Sequence, residues 1–123
     1  MMKKSIVVFF ITVLIITIDL SYAETRSTAR ISQFSNNRTN VWKTIIYPNS
    51  NQVLAMHRHD YDRVLVALSN GLLKVTNNKG KMHYLKLEKD KAYYLTKDPE
   101  HELHRDENIT NYPIKVMIIE LKK

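Results

Sequence analysis

The sequence predicts one all-β domain behind an N-terminal export signal. Two observations carry the domain: short β-branched runs alternate with turn residues from Val41 to the end of the chain, and no segment there has helical amphipathic periodicity. A third observation carries the signal. Lys3 and Lys4 precede an apolar run from Ile6 to Ile18, and Ser21-Tyr22-Ala23 then offers small residues at the −3 and −1 positions of a cleavage site. The run is shorter than the roughly 20 apolar residues of a spanning helix. Asp19 closes it, so a stable membrane anchor is not expected.

The elements follow in order. Residues 1–23 read as a signal peptide, leaving a mature chain that starts at Glu24 outside the cytoplasm, periplasmic or secreted. Residues 24–40 are polar, with Ile31 and Phe34 their main large apolar side chains, and read as a flexible arm. The domain proper is expected over 41–121. Val41 to Tyr47 is the first strand, and Pro48-Asn49-Ser50-Asn51 turns into a second, Gln52 to His57. Arg63 to Ser69 meets Asn70-Gly71, the pair favoured in a two-residue type I′ hairpin, and Leu72 to Thr76 returns. Lys81 to Leu87 and Ala92 to Leu95 follow. Thr96 to Asn111 reads as a polar loop before the last strand, Ile114 to Leu121. At least seven short strands at this spacing mean a sandwich or barrel.

Composition removes several chemistries. The chain has 123 residues, 2 Gly and no Cys. That excludes disulfides, thiolate metal sites and cysteine nucleophiles, and leaves no room for a Gly-rich phosphate loop. After cleavage about 100 residues remain, enough to bury a core by packing alone. The formal charge is +7. Its lysines and arginines are scattered at turns and alternate strand positions, which describes a solvated surface and gives nucleic-acid binding no support. No Gly-x-Ser-x-Gly elbow marks a serine nucleophile. Asn37-Arg38-Thr39 and Asn108-Ile109-Thr110 match the glycosylation pattern, which matters only in a eukaryotic secretory host.

The chemistry concentrates in histidines. Four of the five stand in two clusters, His57-Arg58-His59 and His101-Glu102-Leu103-His104. Residues two apart on a strand share a side, so His57 and His59 can reach one ion. Alone, such a pair also describes two polar residues at a strand edge.

Together the clusters resemble the two motifs of the cupin family, small jelly-roll barrels. The first family motif has His-x-His with a Glu four residues past the second His and a closing Gly, and here His57-Arg58-His59 runs through an apolar strand to Gly71. The second resembles Pro-x-Gly-x-x-His-x-x-x-Asn. Pro99, His104 and Asn108 fit it, with His101 in the Gly slot. The likeness covers about Val41 to Leu121 and implies a cupin-type jelly-roll barrel. It also implies a metal on His57, His59 and His104, one divalent transition ion such as Zn, Ni, Cu, Mn or Fe.

One departure bears on function. The family's Glu slot carries Arg63, which shares strand parity with His57 and His59 and should enter the same cavity. A guanidinium cannot ligate a cation, and it depresses nearby imidazole pKa values. Either a loop carboxylate such as Asp62, Glu100 or Glu102 replaces the missing ligand, or three histidines hold a metal unaided. Alternatively the pocket holds no metal, and Arg63 with the histidines binds an anion. Arg63 could also swing outward to Asp60 or Asp62.

Two functions of different class result. One is an exported binding module whose pocket of His57, His59, Arg63 and His104 takes a metal or a small polar or anionic ligand. The other is a small metalloenzyme of dioxygenase, isomerase or epimerase type. The missing carboxylate favours the binding module, since an iron oxygenase site wants one beside its imidazoles. The resemblance also suggests a homodimer.

Overall fold

A computed structural model describes residues 27–123. The expected export signal and cleavage site lie outside these residues. Among the described residues no helix is long and apolar enough to cross a membrane.

The described residues form nine strands: β1 (Ala29–Ser35), β2 (Thr39–Ile46), β3 (Leu54–His57), β4 (Arg63–Ala67), β5 (Gly71–Asn77), β6 (Met82–Leu87), β7 (Ala92–Leu95), β8 (His104–Asn108) and β9 (Ile114–Leu121). They make two antiparallel sheets, one ordered β1-β2-β9-β4-β7 and the other β3-β8-β5-β6. Among the described residues no strand ladder joins the sheets, so the jelly roll is an open barrel rather than a closed one.

Alternation decides what fills the space between them. Leu65 and Ala67 of β4, Leu73 and Val75 of β5, and Ile114, Val116 and Ile118 of β9 are buried at every second position. Ile46 and Leu87 complete one apolar core. Burying each such side chain stabilises the fold by roughly 1.5–3 kcal/mol. Further along the same inward rows the residues turn polar, to Thr44, Arg63 and His104, all buried. One end of the interior is therefore apolar and the other is a lined polar cavity.

Three sequence expectations need correction. Residues 24–40 are not a loose arm throughout, because Ala29–Ser35 pair with β2 from Ala29↔Ile45 to Ser35↔Asn40. This strand is held by backbone hydrogen bonds at a sheet edge and six of its seven residues are exposed, so it lacks the apolar alternation that signals a strand. Among the described residues the folded unit thus includes β1 and is not confined to residues 41–121.

Asn70-Gly71 is not a hairpin. β4 and β5 belong to different sheets, and neither Asn70 nor Gly71 has positive φ, which a type I′ turn requires. Glycine is needed here for another reason. A Cβ on Gly71 would stand 2.5 Å from Cγ1 of Ile114, where the chain crosses closely over the core. Asn70 closes the corner by accepting a hydrogen bond from the Lys89 amide at 2.8 Å.

The supposed loop from Thr96 to Asn111 contains β8, which lies between β3 and β5. Its sequence, His-Arg-Asp-Glu-Asn, has no apolar face because its inward residues face the polar cavity.

Candidate metal centre

Register brings the two histidine clusters together. β3 pairs with β8 so that His57 stands directly opposite His104. β3 ends at His57, and the chain carries His59 on into the interior, where its ring lies parallel to Trp42 with centroids 6.2 Å apart. His57 and His104 rings meet edge to face at 4.4 Å, and His59 lies 4.9 and 5.3 Å from them. One ligand nitrogen from each of the three falls within 4.8 Å of the others. Nε2 of His57 and Nε2 of His59 are 3.1 Å apart.

One hydrogen bond and one close carboxylate contact aim two of these rings. Nδ1 of His57 donates to the Ala55 carbonyl at 2.6 Å, and Nδ1 of His104 lies 3.1 Å from an Asp98 carboxylate oxygen. A proton on each Nδ1 leaves the Nε2 lone pair facing the centre, the arrangement that metal-ligating histidines use.

Two carboxylates escaped the sequence reading. Asp98 lies in the β7–β8 loop, and besides His104 it accepts from the His59 amide at 2.7 Å. Asp106 sits two residues after His104 on the same face of β8. Its oxygens are 3.6 Å from Nε2 of His57 and 3.8 Å from Nε2 of His104. The expected substitutes are elsewhere. Asp62 takes hydrogen bonds from the Tyr94 hydroxyl and the Lys97 amide, Glu100 is exposed, and Glu102 accepts from Asn77. His101 is exposed with φ of 61°, a conformation that explains a glycine at this point of the family motif.

Arg63 enters the same cavity and is buried. Its guanidinium donates to the Thr96 carbonyl at 3.0 Å and lies 4.0 Å from Asp98. The outward pairing does not occur, since Asp60 is taken by Arg58 at 2.8 Å. Arg63 therefore props the Asp98 loop, and much of its charge is answered there.

Burial dominates the electrostatics. It lowers the His59 pKa to about 2, with the Arg63 charge the next cause. His57 is also lowered by burial, against the raising effects of its Ala55 hydrogen bond and of Asp106. Burial raises the Asp106 pKa, opposed by His104 and His57. Both lowered imidazoles are neutral at pH 7, the form a metal needs.

The cavity above the histidines has a volume of about 510 Å³ and is lined by both sheets. A cupin domain from Bordetella pertussis Tohama I has the same architecture, with a TM-score of 0.69 at 22% identity, covering 79% of this chain and 95% of that one. The chain has the cupin fold. An RmlC-like cupin family protein with a double-stranded β-helix fold from Methanocaldococcus jannaschii matches with a TM-score of 0.60 at 9% identity, over 81% of this chain and 84% of that one. A cupin superfamily protein from Desulfitobacterium hafniense DCB-2 gives 0.57 at 13% identity over the same shares, 81% and 84%. No family model matches the chain, and no curated protein does. What the chain shares with them is the cupin fold. In this chain three histidines gather where they could hold a metal.

Proposed function

We propose that this cupin-fold chain is an exported metal-binding module that holds one divalent transition ion on Nε2 of His57, His59 and His104. It takes a small polar or anionic ligand in the cavity above. The observation that carries the reading is the convergence of three histidine nitrogens, with the His57 ring aimed by a hydrogen bond to Ala55 and the His104 ring by the Asp98 carboxylate.

The residues fit such an ion. Bonds of about 2.0–2.1 Å in a tetrahedral site set neighbouring ligand atoms roughly 3.4 Å apart. The 3.1 Å between His57 and His59, and the 3.6 and 3.8 Å from Asp106 to His57 and His104, lie around that value. Asp106 is the natural fourth donor, giving back from β8 the carboxylate that Arg63 displaces from β4. Three imidazoles and a carboxylate suit Zn, Ni, Cu, Mn or Fe. When bound, the ion supplies Lewis acidity or redox chemistry. The chain's own groups keep two imidazoles neutral, orient them and hold the Asp98 loop over them. Asp106 also favours a second reading, the small metalloenzyme, because an oxygenase-type iron site uses a carboxylate beside its histidines.

Calorimetric titration of zinc and nickel into the metal-stripped protein tests the centre. Uptake of one equivalent is expected. His104→Ala should weaken it more than about a hundredfold, and Asp98→Asn by roughly 10–100-fold through misorientation of His104. Equal affinity in wild type and His104→Ala would overturn the assignment.

A further inference from the structure

Arg30 lies at the mouth of this cavity, carried there by the edge strand β1. Its guanidinium carbon stands 5.2 Å above the Trp42 ring, and Trp42 in turn stacks on His59. Arg63 spends its guanidinium on Thr96 and Asp98. Arg30, by contrast, has no hydrogen-bond or ion-pair partner among the described residues. Stacking on an aromatic face leaves the edge N–H groups of a guanidinium free and fixes its plane. An exposed fork of donors is thus held among the residues that line the same cavity as the histidines.

Charge balance shows what such a fork would meet. The ionised side chains lining the cavity are Arg30, Arg63 and Lys81 against Asp98, Glu102 and Asp106. Three cations and three carboxylates cancel. A divalent ion on the histidines would therefore leave the lining with a net surplus of two positive charges even with Asp106 as its fourth donor, and uncompensated charge beside buried groups is costly. An anionic ligand supplies the missing charge.

We propose that the loaded cavity binds a small dicarboxylate, with one carboxylate on the ion and the other on the Arg30 fork. This rests on the metal-centre reading above and adds the ligand class and the residue that selects it. Arginine suits the task because its planar donors meet a carboxylate in two parallel hydrogen bonds, which a lysine cannot reproduce. Cavity size agrees, since about 510 Å³ accommodates a ligand of this kind.

Cobalt(II) loading gives a test in which the two readings fail separately, because the visible absorption of the ion reports uptake and its change reports a new ligand. Malonate is titrated into cobalt-loaded wild type, Arg30→Met and Arg30→Lys, with neutral malonamide as control. Methionine keeps an unbranched stem over Trp42 while removing the charge, and tryptophan fluorescence checks that the packing persists. The expected result is full cobalt uptake by all three proteins, and malonate affinity at least tenfold lower in Arg30→Met and intermediate in Arg30→Lys. Malonamide should bind all three weakly and alike. Equal malonate affinity in wild type and Arg30→Met, with cobalt bound in both, would overturn the role of Arg30 and leave the metal centre standing. Wild type that takes up no cobalt would overturn both.

Discussion

Asn108→Ala is expected to cost about 3 kcal/mol of stability, lowering the melting temperature by roughly 15 °C. Asn108 is buried at the end of β8 and joins three segments. Its amide nitrogen donates to the carbonyls of Ile46 at 2.9 Å and Tyr112 at 2.7 Å. Its oxygen accepts from the amide and hydroxyl of Thr110 at 2.9 and 2.6 Å. Truncation orphans the buried Ile46 carbonyl, and each such group left unpaired costs about 1–3 kcal/mol. The Tyr112 and Thr110 groups are nearer solvent and recover part of their loss from water. Asn108→Asp should be worse than alanine, since it turns a carboxylate oxygen toward two carbonyls. Urea unfolding measures both variants, with Thr110→Ala as a milder control. A loss under about 1 kcal/mol for Asn108→Ala would show that the segments are held otherwise. The same contacts argue against Asn108 as a glycosylation acceptor despite the Asn-Ile-Thr pattern, because its amide nitrogen is enclosed.

Acid should destabilise the metal-free protein from about pH 6.5 downward, the range where unfolded histidines titrate. The sign follows from His59, whose pKa falls to about 2 on folding, first through burial and then through Arg63, His57, His104 and Arg30. Between those two values the unfolded chain binds a proton that the native chain refuses. Stability contributed by neutral His59 is thus complete above about pH 6.5 and is lost at about 1.4 kcal/mol per pH unit on acidification. His57 shifts the same way and adds to the slope. Asp106 opposes it, because its raised pKa lets the native state hold a proton that the unfolded chain releases. Two histidines outweigh one carboxylate over pH 6.5 to 5. Urea unfolding at pH 7.5, 6.5, 5.5 and 4.5 should show the decline, and His59→Gln should flatten it. Stability that is level or rises toward pH 5 would contradict the buried neutral state.

What the sequence revealed and what it hid share a cause. The strands β4, β5 and β9 were legible because their inward positions face the apolar core, so burial wrote an alternation of Leu, Val and Ile into them. β8 faces the cavity, and its inward His104, Asp106 and Asn108 match its outward residues in polarity. Hydrophobic patterning cannot see a strand of that kind. Asp106 stayed hidden with it, although its place two residues after a ligand histidine was a usable parity signal. β1 was missed as an edge strand, and Arg30 with it. The three histidines were legible through motif spacing. Arg63 was placed by a parity count along one strand from His57. Yet β3 ends at His57 and β4 begins at Arg63 in the other sheet, so its entry into the cavity comes from the path of the chain between the sheets. The partners of Arg63, Thr96 and Asp98, depend on the path of a loop, which neither parity nor spacing describes.

Asp98 has a further consequence, for the order in which the molecule assembles. This one carboxylate meets the His59 amide, the His104 ring and the neighbourhood of Arg63, and so ties the segment around residues 59–63 to one 39 residues further along the chain, with Arg63 and His104 drawn from different sheets. Because non-local strand pairing is slow, a junction of this kind is expected to form late, after the rate-limiting barrier. Contacts absent from the transition state govern unfolding and leave the folding rate nearly untouched. An ion held at this junction should therefore act as a brake on unfolding. In stopped-flow experiments the unfolding limb should fall with added zinc while the folding limb stays in place. A folding limb that rises instead would mean that the histidines have already met at the barrier.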